Sequence, residues 1–265
     1  MNMEWHHVEY PARVVCTTTE SVDILYRLGL GDKIVGVSGF TTEPPAARQK
    51  QKIGTYTAVN LEKISALHPD LVVAFSDVQA SITRDLVQAG FTVFTMNQRS
   101  VRGILEAILM LGSLVGAADA ARQLVGEMQR AMETIQQGAA RLRHRPRIYF
   151  EEWHDPLISG IGWVGELIEI AGGEDIFPDV KGSRAKERVV SAEEVVRRNP
   201  DMIIASWCGK KVDRQSIFHR PNWDEIGAIK NQRVYEIKSA HILEPGPAVL
   251  KGLEQMHALL LKEFS

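Results

Sequence analysis

The chain has 265 residues, of which 45% are hydrophobic and 24% charged, and its formal net charge is −2. This is the composition of an ordinary globular protein with one large or two modest cores, and it excludes disorder and a coiled coil. The near-neutral balance supplies no global basic field for nucleic acid or anionic lipid, and Cys16 and Cys208 are too few for a disulfide framework.

The N-terminal stretch M-N-M-E-W-H-H-V-E-Y-P-A-R lacks the basic start and apolar run of a secretory signal, which keeps a cytoplasmic location open beside an extracytoplasmic one. No apolar run reaches the roughly 18 residues that span a bilayer; Ile104 to Val115 comes nearest and is interrupted by glycine. Arg13 to Cys16 reads as a strand, and T-T-T-E-S caps an amphipathic helix from Val22 to Leu28 that Gly29 and Gly31 end. Ile34 to Val37 is the next strand, and the paired prolines of S-G-F-T-T-E-P-P predict a loop without regular structure. A short helix from Asn60, a strand to Phe75, a helix from about Ser81 to Ala89 and a strand from Phe91 to Thr95 follow. This alternation predicts a mostly parallel sheet.

From Ser100 to about Arg143 the pattern is helical throughout. Val101 to Leu114 forms one helix, and Ala117 to Leu142 a second, unbroken for about 26 residues or roughly 39 Å. Its apolar positions sustain no heptad beyond two or three repeats, so a rigid strut fits better than a coiled coil. After Pro146, R-I-Y-F-E-E-W opens a second α/β series. In it, Val164 to Ala171 is a helix closed by Gly172-Gly173, the E-D-I-F that follows echoes the earlier L-G-L-G-D-K-I-V as a second duplicated element, Asn231 to Ile237 is a last strand matching Asp32 to Val37, and Ala248 to Glu263 is a terminal helix.

One pattern is written twice in this series. From Asn60 the chain reads N-L-E-K-I-S-A-L-H-P-D-L-V-V-A-F, and from Ser191 it reads S-A-E-E-V-V-R-R-N-P-D-M-I-I-A-S. Glu62, Pro69, Asp70 and Ala74 recur as Glu193, Pro200, Asp201 and Ala205 at a constant offset (193 − 62 = 131, 200 − 69 = 131). Asn60 or Ser191 caps a helix, a carboxylate sits two places in where the helix dipole favours it, proline stops the helix, and a buried strand follows. The period is too long for a solenoid, so the duplication predicts two similar lobes. The strand ends at Phe75 and Trp207 are expected to face a shared cleft, with Glu62 and Glu193 at the opposite ends.

No enzyme signature fits. G-L-G-D-K-I lacks the third glycine and preceding strand of a dinucleotide loop, and no P-loop, G-x-S-x-G or H-E-x-x-H occurs. Cys208 with His241 lacks an orienting third group. In E-E-W-H-D, from Glu151, strand alternation sends Glu151 and Trp153 to one face and Glu152 and His154 to the other, too few ligands for a closed metal site without His241. A solvated or hydrogen-bonded loop is expected there, with no catalytic residue and no metal ligand. An enzyme or metal-site protein using Glu152, His154, Cys208 and His241 stands as the contrasting class. Two basic clusters occur: Lys181, Arg184, Lys186 and Arg188 read as a solvated loop, and Lys210, Lys211, Arg214 and Arg220, after a strand end, as a place for an anionic ligand group.

These residues together resemble the helical-backbone class of ABC-transporter substrate-binding proteins, which includes vitamin B12, ferric-siderophore and haem binders. The resemblance runs from about Pro11 to Leu261 and rests on R-V-V-C-T-T-T-E-S-V-D-I-L-Y-R-L-G-L-G-D-K-I-V-G-V, N-L-E-K-I-S-A-L-H-P-D-L-V-V-A, and A-G-G-E-D-I-F-P-D with S-A-E-E-V. Through S-G-F-T-T-E-P-P, I-G-T-Y and N-L-E the cobalamin-binding branch is nearest.

The resemblance implies two α/β lobes, each with a mostly parallel sheet: residues 1–115 and 144–265, joined by a long rigid helix over 116–143. It implies a non-enzymatic, extracytoplasmic, monomeric receptor of an ABC importer that holds cobalamin, a related corrinoid or another metal chelate between its lobes. Phe40, Tyr56 and Phe75 take the first lobe's aromatic positions. In the second lobe Glu187 and Glu244 stand where the family has an aromatic and a basic residue, and Trp163, Trp207, Cys208, Lys210 and His241 are the candidates instead. Glu62 and Glu193 take the positions that dock on the two-fold membrane subunits. A ferric-siderophore or haem ligand is the alternative, favoured by the basic 210–220 loop and by His241 as an axial ligand.

Overall fold

The structure is a computed structural model that describes residues 9–265. Residues 1–8, on which most of the signal-peptide reading falls, lie outside the described residues. The chain divides into two compact units, one made of the described residues up to Gln98 with Gly103–Gly126, the other of Arg99–Arg102 with Glu127–Ser265.

The first unit is built from β1 (Val14–Cys16), α1 (Thr19–Arg27), β2 (Ile34–Val37), β3 (Gln51–Lys52), α2 (Leu61–Ala66), β4 (Leu71–Phe75), α3 (Ala80–Gln88), β5 (Val93–Met96) and most of α4 (Val101–Leu114). Its strands lie in the order β3-β2-β1-β4-β5, and every neighbouring pair is parallel. The continuous apolar runs of β1 and β4 are what a parallel sheet covered on both faces requires, and Val15, Val72, Ile64 and Leu86 are all fully buried. The next helix, α5 (Ala118–Gly138), contributes residues to both units.

The second unit contains β6 (Arg147–His154), β7 (Leu157–Ser159), α6 (Gly162–Ala171), β8 (Glu174–Asp175), α7 (Ala192–Arg198), β9 (Met202–Ala205), α8 (Arg214–Phe218), α9 (Gly227–Lys230), β10 (Val234–Glu236), α10 (Ser239–Ile242) and α11 (Val249–Phe264). The order is β10-β9-β6-β7, with β8 also on β6; β7 alone runs antiparallel. Tyr149, Ile203, Val195 and Trp223 centre its core.

The duplicated pattern has the same physical basis in both units. Asn60 accepts a hydrogen bond from the Lys63 amide and Ser191 from the Glu194 amide, so both short helices are capped as expected. Each helix then turns through one left-handed residue, His68 (φ 44°) or Asn199 (φ 42°), directly before the proline. The aspartate that follows reaches the neighbouring central strand: Asp70 Oδ2 accepts from the amides of Ala12 and Arg13, and Asp201 Oδ2 from the amide of Arg147, all at 2.8 Å. Pro-Asp is thus a clamp between the turn and the start of the central strand.

Four expectations are corrected. The helix expected to run unbroken to Leu142 ends at Gly138 after 21 residues and tightens into a 3-10 turn over Ala139–Arg141. At Gly138 a Cβ would stand 2.7 Å from the His257 ring, and glycine is a poor residue for continuing a helix. The loop S-G-F-T-T-E-P-P is without regular structure only as far as Pro44: Pro45 opens a 3-10 helix that runs to Gln49, where its fixed φ suits a first turn, and β3 follows. The last strand, β10, pairs with β9 as β5 pairs with β4 and is the counterpart of β5; the partner of β2 in the duplication is the two-residue β8. The fourth concerns the glutamates and belongs with the site.

Candidate functional site

In each sheet the parallel strands deliver their following loops to one edge, where open α/β sheets bind ligands. In the first unit the loop after β2 carries Ser38, Gly39, Phe40 and Thr41. Gly39 donates its amide to the Gly54 carbonyl at 2.7 Å, and a Cβ on Gly39 would stand 3.0 Å from that oxygen, so two glycine backbones hold the loops together. Phe40, at the tip, is 62% exposed. A large ring displayed this way gives up burial that the core would reward with about 2 kcal/mol.

Tyr56 is half-buried in the turn that leaves β3, a turn closed by Gly54 pairing with Val59 and by the Thr55 amide on the Ala58 carbonyl at 2.7 Å. Phe75 ends β4 but is only 4% exposed, so it supports the edge from beneath and presents no open face. This revises the expectation that it lines the ligand.

Residue Ser76, at φ 60°, turns the chain sharply after Phe75. Gln79, fully buried, links Thr17, Phe75 and Tyr56 here; nothing in the sequence around D-V-Q-A-S set it apart. Cys16 and Glu20 lie buried under the same edge. Burial pushes the Cys16 thiol up to about 12, and burial raises the Glu20 carboxyl to about 7 although it accepts a 2.6 Å bond from Thr18.

In the second unit two ion pairs organise the edge. Glu151, fully buried, accepts from the Trp207 indole at 2.9 Å and from both terminal nitrogens of Arg220. Arg188, 2% exposed, grips Glu152 at 2.6 and 3.1 Å and also donates to the Ser159 carbonyl. The basic clusters therefore divide. Arg188 and Arg220 are consumed by internal carboxylates, while Lys181, Arg184, Lys186, Lys210 and Lys211 remain at the surface.

Around these pairs, His154 stacks on Trp207 with centroids 4.2 Å apart, and Lys210 Nζ lies 5.1 Å over the Trp153 ring. Cys208 is exposed, and partial burial of its sulfur, then Glu152 and Glu244, raise its thiol, the reverse of an activated nucleophile. His241 is half-buried, with Nδ1 3.0 Å from the Gln255 amide. Trp163 and Trp207 are interior: they are 2% and 4% exposed, and their indole N–H groups are committed to the Ile242 carbonyl and to Glu151. Their role as open ligand surfaces is revised accordingly, since a buried indole satisfies its donor inside the core.

Glu62 and Glu193 are both exposed two places into their helices. The Glu193 carboxyl is held below its ordinary range, first by its own backbone amide and then by Ser191. They do not stand at the opposite ends from the strand termini. The Asn60 amide binds the Ile53 carbonyl just past β3, and Val190, before Ser191, binds the Leu157 carbonyl opposite the end of β6, whereas the far ends of α2 and α7 reach the starts of β1 and β6. A helix that precedes a parallel strand begins where that strand ends, so each glutamate shares its unit's strand-end edge.

A cavity of about 640 Å³ in the second unit, lined by Arg99, Gly160, Gly165, Glu166, Asp175 and Phe177 among others, contains none of the expected site residues. Among the described residues no group of three or more His, Cys, Asp or Glu is placed to hold a metal ion, and no helix is long and apolar enough to cross a membrane.

Two α/β units with parallel sheets, duplicated capped helices and loops gathered at the strand ends define a substrate-binding protein, and the chain belongs to the periplasmic binding protein family, whose model matches residues 14–241. Members of this family are substrate-binding proteins, not enzymes. The chain is 30% identical over 255 residues to the uncharacterized ABC transporter substrate-binding lipoprotein YvrC of Bacillus subtilis, covering 93% of this chain and 79% of that one. It is 28% identical over 249 residues to the vitamin B12-binding protein of Vibrio vulnificus, covering 92% and 88%. Its fold is similar to the periplasmic vitamin B12-binding protein BtuF of Vibrio cholerae (TM-score 0.78, 23% identity, 97% and 100% covered) and to S. aureus IsdE complexed with heme (TM-score 0.79, 22% identity, 96% and 99% covered).

Proposed function

We propose that this protein is the extracytoplasmic receptor of an ABC importer, that it binds cobalamin or a related corrinoid on the loops at its strand-end edges, and that Glu62 and Glu193 dock it on a two-fold permease. The observation that carries the ligand reading is Phe40, a 62% exposed ring fixed at a loop tip with Tyr56 on the neighbouring loop. Flat, polarisable rings suit the face of a large macrocycle. The relatives named for vitamin B12 support the same ligand class.

A haem or ferric siderophore is the second reading, favoured by the half-buried His241 as an axial ligand and by the exposed Lys210 and Lys211. Absorbance titrations with cyanocobalamin and with haemin separate the two. Saturable binding of cyanocobalamin that Phe40→Ala weakens about tenfold supports the corrinoid; a haemin Soret shift abolished by His241→Ala, with no response to cyanocobalamin, replaces it with the second reading.

A further inference from the structure

The Gln79 side chain is fully buried on the turn after β4. Its Oε1 accepts from the Thr17 hydroxyl at 2.7 Å and from the Phe75 amide at 2.9 Å, and its Nε2 donates to the Tyr56 carbonyl at 2.7 Å. Thr17 follows β1, Phe75 ends β4, and Tyr56 sits in the turn after β3, so one side chain joins three strand ends. The backbone partners fix the amide's orientation, because the Phe75 N–H can only donate and the Tyr56 carbonyl can only accept. Only a primary amide of this length offers an acceptor oxygen and a donor nitrogen together; a carboxylate cannot donate, and an apolar side chain does neither. The Gly54–Val59 turn is closed on itself by its own pairing, so the bond from Gln79 ties the turn as a unit to the centre of the sheet.

We infer that Gln79 is a positioning residue for the ligand, setting the place of Tyr56 through the Tyr56 carbonyl without touching the ligand itself. The inference rests on the reading of Tyr56 as a ligand contact proposed above. The isosteric Gln79→Glu variant keeps the acceptor for Thr17 and Phe75 but, when ionised, sets an anion against the Tyr56 carbonyl. Protonation restores the donor.

The test has two arms. In the ligand-free protein, hydrogen exchange over residues 54–59 is expected to quicken at least tenfold in Gln79→Glu at pH 8 relative to wild type and to return toward wild type at pH 5 on the scale corrected for intrinsic exchange. In the second arm, whichever of cyanocobalamin and haemin the wild type binds is titrated at both pH values. The variant is expected to lose about tenfold in affinity at pH 8 and recover most of it at pH 5, with the wild type's own pH dependence as baseline. Gln79→Met, which cannot titrate, is expected to lose affinity at both. Unchanged exchange at 54–59, or quickened exchange with unchanged affinity, overturns the inference, as does a loss of affinity in Gln79→Glu that is the same at both pH values. A wild type that binds neither probe refutes the proposed function, while the exchange arm still decides whether Gln79 holds the turn.

Discussion

Arg188 and Arg220 each neutralise a carboxylate of β6, 36 and 69 residues distant in the chain. A local charge count cannot register a partner at that separation. Arg188→Met leaves the part-buried Glu152 carboxylate without its cation and the Ser159 carbonyl without its donor, so it is expected to cost about 3 kcal/mol in denaturant unfolding. Glu20 was equally hidden, as a capping residue in T-T-T-E-S. Its carboxyl, near 7 when folded against an ordinary 4.5, favours the protonated folded state. That stability is fully present below about pH 4.5 and is lost as pH rises through 7, reaching about 3 kcal/mol by pH 8. Glu20→Gln is therefore expected to flatten the fall in stability between pH 5 and 8; an unaltered pH profile in thermal or denaturant unfolding would contradict this account of Glu20.

Elements were read well where a signal repeats and poorly where it is short. The caps at Asn60 and Ser191, the proline stops and the buried strands all follow from local chemistry, and the common offset of 131 residues exposed the duplication. The two-residue strand β3 carries too little pattern to be seen; the echo of L-G-L-G-D-K-I-V in the segment that holds β8 is legible, while matching β10 to β2 fails because a polar turn followed by an apolar run says nothing about position in a sheet. The recurrence of aspartate after proline, legible only as punctuation, is the clamp on the central strand of each unit. Asp70→Ala and Asp201→Ala are each expected to destabilise by about 1–2 kcal/mol, since each exposes strand-start amides that lose a charged acceptor. A difference of several kcal/mol between them would show that the two copies do not do equivalent work.

At the scale of the molecule, the family and the two-unit α/β architecture were within reach of the sequence, and the ligand was not. The first unit's edge keeps an exposed aromatic, Phe40, whereas Trp163 and Trp207 of the second unit are drawn into its interior. Aromatic residue types alone cannot distinguish a ligand platform from a core. The carboxylates at the two helix starts put one exposed acidic group per unit on the edge where the strand-end loops lie. Glu62→Ala and Glu193→Ala are each expected to weaken association with a reconstituted permease while leaving ligand affinity unchanged, whereas an equal loss of ligand binding would make them structural caps. Calorimetric titration of the wild-type protein with cyanocobalamin decides whether this receptor takes a corrinoid. One-to-one binding at micromolar or tighter affinity is the predicted result, and the absence of heat and of any accompanying spectral shift at about 100 μM would contradict it.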